Sequence, residues 1–150
     1  MLIRQALTSD IPQMQFVRQE VKENVLSDPS LVPDSDCEDF ITKRGRGWVC
    51  ESDGKVLGFA IADLAEENIW ALFVLPEQEG KGIGQTLQRM MLDWYFSTSK
   101  NYVWLGTSAG TRAEQFYKKT GWKENGMHGT EIKFEMYVDV WNALKSASFQ

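Results

Sequence analysis

The sequence predicts a mixed α/β fold in which one sheet is flanked by helices. Hydrophobic residues between positions 47 and 75 recur at the period of strands. A glycine-rich loop and then an amphipathic helix follow the last of these strands. Another strand, a capped helix and two final strands come after residue 101. In a chain of 150 residues this alternation indicates one domain, residues 1–150, with a loosely held tail from residue 139.

Composition and charge exclude several classes of protein. With 43% hydrophobic and 25% charged residues, the chain is neither disordered nor fibrous. The 16 Lys and Arg residues against 21 Asp and Glu give a net charge of −5, which repels phosphates, so we expect no nucleic-acid partner. The longest apolar run, residues 69–75, is too short to span a membrane, and the N-terminus lacks a signal-peptide core. We therefore expect a cytoplasmic protein with no membrane partner.

The cysteine and histidine content predicts no metal site. Cys37 and Cys50 lack the spacing of a thiolate pair, and the single His128 cannot complete an imidazole cluster. We interpret both cysteines as free, packed thiols or loop residues in a reducing compartment.

The N-terminal third predicts a strand, a helix and an acidic loop. A strand is expected over residues 2–6, and Thr8 to Pro12 has the residues of a helix start. Met14, Val17, Val21 and Val25 then recur at helical spacing. Two prolines and several acidic residues indicate a loop or broken helix over residues 27–39.

A hairpin and a central strand are predicted next. Asp53 and Gly54 form the turn between strands at residues 48–51 and 56–62. The unbroken apolar run at residues 69–75 indicates a strand covered on both faces. A helix is expected from Ile83 to about Ser97.

The C-terminal third predicts a strand over residues 102–105 and a helix that begins at the capping box Thr111 to Glu114 and stops at Gly121. Strands at residues 122–124 and 130–138 follow, joined by a loop over residues 125–129.

The segment from Gly80 to Gly84 is a candidate phosphate cradle. Alternate glycines let the main chain approach a ligand, and the helix that follows adds its positive N-terminal end. From the glycines alone, a tight turn with nothing bound is an equally good interpretation. Leu75 and Gly82 rule out the Walker pattern, and Gln85 rules out the dinucleotide pattern.

Two blocks resemble the GNAT N-acetyltransferase superfamily. The first, residues 74–84, is similar to the family's acetyl-CoA loop, which reads Arg or Gln, two residues, Gly, one residue, then Gly or Ala; Glu79 replaces the Arg or Gln. The second, residues 110–122, resembles the family's later helix, with Ala113, Tyr117 and Gly121 matching and Gly110 in place of Asn. With the order of the other elements, the resemblance covers nearly the whole chain.

The resemblance implies a fold, a reaction and a set of site residues. The fold would be a central mixed, mostly antiparallel sheet of six to seven strands with about four helices, its fourth and fifth strands splayed around the cofactor. The reaction would move an acetyl group from acetyl-CoA to a primary amine of a small molecule or peptide, by direct attack in a ternary complex. Tyr117 would be the general acid, and main-chain N–H groups near Phe73 or Val74 would stabilise the oxyanion. Cofactor contacts would come from Phe73, Val74, Leu75, Glu79, Gly80, Lys81, Gly82, Ile83, Gly84, Gln85, Phe116 and Tyr117.

Other roles stay open. A Tyr at position 117 could instead only pack with Phe116 against the sheet. Glu66 or Glu67 could act as a base but read more simply as turn residues. The acidic loop could attract a cationic amine through Asp34, Asp36, Glu38 and Asp39, or be a solvated loop with no further role. His128 could border the opening of the same amine site or be a plain loop residue.

Two alternative functions and a homodimer complete the expectations. Glu79 and Gly110 motivate a non-catalytic acyl-CoA-binding sensor or interaction module. A weaker hypothesis is a protein-binding role through an aromatic surface. Homodimers joined through the last strands are frequent in the family, which directs attention to residues 133–137.

Overall fold

The computed structural model describes residues 1–21 and 32–148. The chain divides into two compact units, Met1–Asp93 and Trp94–Gln150. Among the described residues there are seven strands and five α-helices, so the predicted mixed α/β class is confirmed with one helix more than expected. That residues 1–150 form one domain stays a prediction, as does the splaying of the fourth and fifth strands.

The first unit is built on four antiparallel strands in the order β1, β2, β3, β4. They are β1 Leu2–Gln5, β2 Gly45–Ser52, β3 Lys55–Asp63 and β4 Asn68–Val74. The predicted hairpin turn is confirmed: Asp53 and Gly54 have φ angles of +52° and +77°. Two successive positive φ angles produce the twist that joins antiparallel strands through a two-residue loop.

The strand covered on both faces is β3, not β4 as the apolar run predicts. Eight of the nine β3 residues are buried, whereas in β4 only Ile69 and Ala71 are. Trp70, Phe73 and Val74 are half-buried. Apolarity alone cannot distinguish a strand that the fold covers from one that keeps apolar side chains available to a ligand.

Three helices accompany this sheet. The predicted N-terminal helix is a 3₁₀ turn, Thr8–Asp10, followed by α1 Ile11–Glu20, which buries Met14 and Val17. The amide of Gln13 bonds to both sides of the hairpin turn, accepting from the Val56 N–H at 2.9 Å and donating to the Gly54 carbonyl at 3.3 Å. Val25 and residues 27–31 of the predicted acidic loop lie outside the described residues. Its remainder forms α2 Asp34–Asp39, which leads into a π-helical turn, Phe40–Arg44.

Helix α3, Ile83–Ser97, confirms the predicted helix and begins directly after the glycine loop. Ile83 and Leu87 are buried, and their side chains lie 3.3 Å from the point where a Cβ on Gly58 would stand. A larger residue at position 58 would also meet the Phe73 carbonyl at 3.0 Å. A glycine in β3 therefore lets α3 pack closely on the sheet and fixes where the helix starts.

The second unit contains β5 Tyr102–Thr107, α4 Arg112–Lys119, β6 Lys123–His128, β7 Glu131–Tyr137 and α5 Val138–Ser148. Its strands are antiparallel in the order β5, β7, β6. β6 is longer than predicted, because an irregularity between Glu124 and Met127 carries the pairing through to His128. The expected five-residue loop therefore shrinks to a turn at Gly129 and Thr130.

One expectation about the C-terminus stays a prediction and one needs correction. β7 contains residues 133–137 and pairs with β5 on one edge and β6 on the other, so these residues offer no free strand edge, while a homodimer through the last strands stays a prediction. The tail expected from residue 139 is ordered as α5 through Ser148, with Trp141 only 6% exposed. Burial of one indole offsets the cost of ordering this short helix.

Candidate functional site

The glycine loop has the main-chain conformation that the sequence analysis assigned to a cradle. After β4 the chain makes a 3₁₀ turn, Pro76–Gln78, and then passes through Gly80 and Gly82 with φ angles of +78° and +82°. No heavy atom lies within 4 Å of the point where a Cβ would stand on either glycine. Both are exposed, so this side of the loop offers main chain to solvent.

The start of α3 supplies N–H groups to the same loop. Thr86 is bonded back to Gly82, through its N–H at 3.0 Å and its hydroxyl at 2.9 Å. The N–H groups of Ile83, Gly84 and Gln85 come before Thr86, the first residue whose N–H donates to the Gly82 carbonyl, so the helix itself offers them no acceptor. Together with the positive end of the helix dipole, they form an arrangement that favours an anion such as a phosphate.

The side chains of this segment contribute less than its main chain. Ile83 is 4% exposed and points into the core against Gly58. Lys81 is exposed, and its ammonium donates to the Gln78 side chain at 3.1 Å. Glu79, which stands where the resemblance expects Arg or Gln, is also exposed. Main-chain groups are thus the stronger candidates for cofactor contacts.

The three β4 residues assigned to cofactor contact differ in where their main-chain groups point. The N–H of Leu75 donates to the Leu57 carbonyl at 2.9 Å, and its own carbonyl accepts from Gln78 at 2.9 Å. Because hydrogen-bonded pairs alternate along an antiparallel ladder, Phe73, opposite Phe59, also faces β3. Val74 lies between them and turns its N–H and carbonyl away from β3. Of the three, Val74 therefore fits the proposed main-chain contact best.

Tyr117 is buried in an aromatic cluster on α4. Its ring centroid lies 5.3 Å from Phe116, 5.6 Å from Trp122 and 5.9 Å from Phe134, and the residue is 6% exposed. This burial raises the pKa of the Tyr117 phenol well above its usual value near 10. The phenol is therefore protonated at neutral pH, as an acid must be. Its ring packs against other aromatic residues, as the alternative interpretation expected.

The predicted capping box positions Tyr117 on α4. Thr111 Oγ1 accepts from the Glu114 N–H at 3.2 Å, and Glu114 Oε1 accepts from the Gly110 N–H at 2.7 Å. Glu114 also pairs with Lys118 one turn later at 2.6 Å. Gly110 thus contributes an N–H to the start of the helix, at the position where the resemblance expects an Asn side chain.

The described glycine loop and β4 belong to the first unit, while Phe116 and Tyr117 belong to the second. Within the first unit the structure brings the loop, the start of α3 and the end of β4 into one continuous stretch. Within the second it places Phe116 beside Tyr117.

A column of arginines and aromatic rings, which the sequence analysis missed, lies in the first unit. Phe40 stacks on Trp70 with centroids 4.0 Å apart and planes 8° from parallel. The Arg44 guanidinium lies 4.6 Å from the Phe40 ring, and the Arg18 guanidinium lies 4.9 Å from the Trp70 ring. We name Arg44, Phe40, Trp70 and Arg18 the cation–aromatic column. One sequence signal could have revealed it: Arg18 is four residues after Met14, on the apolar stripe of α1.

The candidate bases and the acidic cluster occupy turns and surface. Glu66 and Glu67 lie in the turn between β3 and β4, and Glu67 has a φ of +53°, so the turn interpretation describes both. The four acidic residues of the predicted loop lie on the exposed face of α2, whose one buried residue is Cys37. Asp39 forms an exposed pair with Lys43 at 3.5 Å.

The remaining candidates are the two cysteines and His128. Cys37 and Cys50 are free and buried, and burial raises the pKa of both thiols. His128 ends β6, with its ring centroid 4.6 Å from that of Trp104. Within residues 1–21 and 32–148, no group of three or more His, Cys, Asp or Glu side chains could hold a metal ion. Over the same residues no helix combines the length and apolarity needed to cross a membrane.

The aromatic residues form little of the surface. All six tryptophans are buried or half-buried, and among the described aromatic residues only Phe16 and Tyr137 are exposed, at 53% and 42%. The described aromatic residues therefore offer little exposed area for protein binding, and this role stays a hypothesis.

Comparisons with known proteins agree with the fold and with the predicted family. Residues 12–122 match the family model described as the acetyltransferase (GNAT) family. Uncharacterised N-acetyltransferases of Mycobacterium bovis and Mycobacterium tuberculosis are 33% identical over 78 residues, which is 49% of this chain and 50% of theirs. The matched segment thus spans half the length of these curated relatives.

Solved structures share the fold at low sequence identity. The PaiA N-acetyltransferase of Thermoplasma acidophilum, solved in complex with coenzyme A, is 17% identical and aligns with a TM-score of 0.80 over 91% of this chain and 98% of that one. A ribosomal-protein-alanine N-acetyltransferase of Brucella melitensis is 20% identical, with a TM-score of 0.73 over 92% of this chain and 100% of that one.

Proposed function

This chain belongs to the GNAT acetyltransferase family, and on that premise we propose that it transfers an acetyl group from acetyl-CoA to a primary amine by direct attack in a ternary complex. The observation that carries the proposal is the conformation of the loop through Gly80 and Gly82. Its positive φ angles leave main chain exposed at the start of α3, where an anion would bind. A pyrophosphate is the anion that this geometry would suit.

Each residue has a chemical task in this proposal. The amine nitrogen attacks the carbonyl carbon of the thioester, a C–N bond forms, and the C–S bond breaks with its electron pair leaving on sulfur. The Val74 N–H, which points away from β3, would donate to the carbonyl oxygen as negative charge develops. Tyr117 would protonate the departing thiolate, and the amine would lose its proton to water.

Burial keeps the Tyr117 phenol protonated at neutral pH, and the same rise in its pKa makes it a weaker acid. A thiolate whose parent thiol has a pKa of about 8.5 is a weaker base than a phenolate, so the proton must be delivered as the bond breaks. Phe116, Trp122 and Phe134 hold the ring and exclude water from it. The residue therefore combines a fixed position with a stable protonation state.

The first experiment is a calorimetric titration with acetyl-CoA. We expect saturable binding at one site per chain, because the loop and the start of α3 are already in an anion-binding conformation. Purified protein that shows no binding at up to millimolar acetyl-CoA would contradict the proposal and leave the fold as a scaffold for another ligand.

The second experiment replaces Tyr117 by Phe. The ring packing survives in Tyr117→Phe, so acetyl-CoA affinity should stay within about twofold of wild type. Turnover of an amine substrate, followed by release of free thiol, should fall about a hundredfold, which is typical for the loss of a general acid. Full activity in this variant would remove Tyr117 from the mechanism.

A non-catalytic acyl-CoA-binding module is the second candidate function. Glu79 motivates it, because this residue departs from the family's acetyl-CoA loop, and its exposed carboxylate repels a pyrophosphate. Replacing Glu79 by Gln should then tighten acetyl-CoA binding in either case. Acetyl-CoA binding without thiol release from any amine would support this module over the enzyme.

A further inference from the structure

Arg18 is a buried cation with two side-chain nitrogens that have no hydrogen-bond partner among the described residues. The residue is 7% exposed, and among the described residues neither Nε nor Nη2 has a hydrogen-bond acceptor. A buried guanidinium stays charged, so an unpaired edge carries a large desolvation cost. In a native protein such an orphan requires an explanation, and a ligand that supplies the acceptor is one.

Two other arginines of the same unit show what this edge normally does. Arg44 uses its Nε and Nη2 to bind the two carboxylate oxygens of Asp63, at 3.2 and 2.7 Å. Arg4 uses Nη1 and Nη2 to bind both oxygens of Asp10, each at 2.8 Å. The pair of atoms that Arg44 uses to bind a carboxylate is the pair that is buried and unpaired on Arg18 among the described residues.

Aromatic rings cover the guanidinium of Arg18 without using that edge. Its central carbon lies 4.9 Å from the Trp70 ring, 5.3 Å from Phe73 and 6.0 Å from Phe59. Stacked rings attract the cation through their faces, while the N–H groups point outward in the guanidinium plane. A carboxylate approaching in that plane would complete a bidentate pair.

The fold brings these rings together at the proposed reaction centre. The pairing of β3 with β4 shifts register between Ile61, which pairs with Ala71, and Ala62, which pairs with Ile69. Trp70 is therefore an extra residue in β4. Such a bulge turns a side chain out of the usual alternation, and Trp70 and Phe73 both reach Arg18. Phe73 is also the neighbour of Val74, the proposed oxyanion donor.

The charges around Arg18 are complementary to a reactant that carries both a cationic amine and a carboxylate. Cys37 is close enough to influence Arg18 electrostatically, but burial raises the pKa of this thiol, so it supplies no anion. The outer face of the same helix, α2, exposes four carboxylates. A cationic amine would be attracted to that face, and a carboxylate to the Arg18 edge.

We propose that Arg18 binds the carboxylate of the acceptor, so that the acceptor is an amino acid or another small amine that bears a carboxylate. The proposal rests on the proposed function and specifies its substrate class. Arg18 acts by binding this group in the acceptor site, and the two half-buried rings, Trp70 and Phe73, form the wall beside it.

The test compares matched ligands on four proteins. Wild type, Arg18→Lys, Arg18→Met and the control Arg4→Lys are assayed for thiol release with acetyl-CoA and a panel of L-amino acids and their carboxamides. Arg4→Lys changes an arginine whose edge is already filled by Asp10 and Glu51. Calorimetry with N-acetyl-L-amino acids and their amides measures carboxylate binding independently of turnover, and thermal unfolding checks that each variant folds.

Wild type should use at least one amino acid better than its amide. Arg18→Lys and Arg18→Met should lose about tenfold to a hundredfold in kcat/KM for that acid, the range expected for a charged hydrogen-bonded contact, through KM. Their kcat/KM for the amide should fall less than their kcat/KM for the acid, and their acetyl-CoA affinity should stay within about twofold of wild type. Arg18→Met should unfold at the same temperature as wild type or above it, since it removes an unpaired buried charge.

Three results would overturn the proposal. The first is a wild type that prefers amides or binds no carboxylate of the panel. The second is an equal loss for acids and amides in both Arg18 variants, with a lower unfolding temperature, which indicates a structural residue. The third is a wild-type preference for succinyl-CoA over acetyl-CoA that Arg18→Lys abolishes, which would assign the edge to the acyl donor. Failure of the proposed function gives a different result: acetyl-CoA does not bind, or no amine causes release of free thiol from acetyl-CoA. Calorimetry with N-acetyl-L-amino acids still measures carboxylate binding in that case.

Discussion

At the scale of single residues, location rather than backbone conformation separates the glycine proposed to contact a ligand from one that only makes a turn. Gly82 and Gly54 have nearly the same φ, +82° and +77°, and neither has a heavy atom within 4 Å of a would-be Cβ. Gly82 lies in the loop before α3, while Gly54 lies in the hairpin turn between β2 and β3. A side chain added at either position would therefore cause similar backbone strain, but at different places in the fold.

Replacing Gly82 by Ala should weaken acetyl-CoA binding. A Cβ disfavours the left-handed conformation by about 1–2 kcal/mol, so the loop should relax away from its anion-binding geometry. We expect a Kd for acetyl-CoA about tenfold higher by calorimetry. Gly54→Ala is the control, with a similar loss of stability in urea and an unchanged Kd. Equal affinities in the two variants would show that the Gly82 conformation is unimportant for binding.

At the scale of elements, α5 shows how a short C-terminal helix is held in place. Gly121 ends α4 with a φ of +95°, and a Cβ there would lie 2.6 Å from Leu144 Cδ1 of α5. Trp141, one turn earlier on α5, is buried. Close approach at Gly121 therefore allows α5 to pack, and it explains why the matching glycine of the family motif has a structural task here.

Gly121→Ala should be markedly destabilising. Left-handed strain of about 1–2 kcal/mol adds to an overpacking cost of about 1–3 kcal/mol at Leu144, so the free energy of unfolding should fall by about 2–5 kcal/mol. Gly129→Ala, with a φ of +62° and open space around it, should cost only the strain. Denaturant unfolding of both variants measures the difference. A Gly121→Ala protein no less stable than Gly129→Ala would mean that α5 does not pack on this glycine.

At the scale of the whole molecule, buried ionisable groups set the pH range of stability. The Arg4 guanidinium beside Asp10 holds the pKa of that carboxyl below its usual value, and the Tyr102 hydroxyl, 2.6 Å away, does the same for Glu135. Burial raises the pKa of Tyr117, Cys37 and Cys50. Acid and alkali therefore both act against the folded state through groups that the fold keeps in one protonation state.

Stability should be highest between about pH 5 and pH 8 and should fall on both sides. Below about pH 4 Asp10 and Glu135 bind protons in the unfolded chain but stay ionised in the folded one. Their contribution to the free energy of unfolding is therefore lost as the pH falls through their folded pKa values. Above about pH 8.5 the unfolded thiols, and from about pH 10 the unfolded phenol, release protons that the folded groups keep, so stability falls as the pH rises.

Urea unfolding between pH 3 and pH 11 measures this profile. Asp10→Asn should lower stability by about 1–3 kcal/mol at neutral pH, the cost of weakening a charged hydrogen-bonded pair, and should flatten the acid limb. Tyr117→Phe should flatten the alkaline limb above pH 10. Unchanged limbs in these variants would mean that other groups control the pH dependence.

The sequence by itself determined the local elements and the family. Periodicity predicts β1, the hairpin and α3, because side chains at a fixed spacing must share one face. The Asp53–Gly54 turn and the capping box at Thr111 follow from the conformational limits of a few residues. The glycine loop follows for the same reason, and its resemblance to the family motif agrees with the family model.

Tertiary structure alone decided which groups are covered, paired or open. The sequence could not show that β3 rather than β4 is buried on both faces, or that Leu75 has its N–H bonded to β3 while Val74 turns away. It also could not show that α5 is held by Trp141, or that Arg44 finds a carboxylate where Arg18 finds only rings. Pairing and burial depend on residues far apart in the chain, and no local pattern records which of them the fold brings into contact.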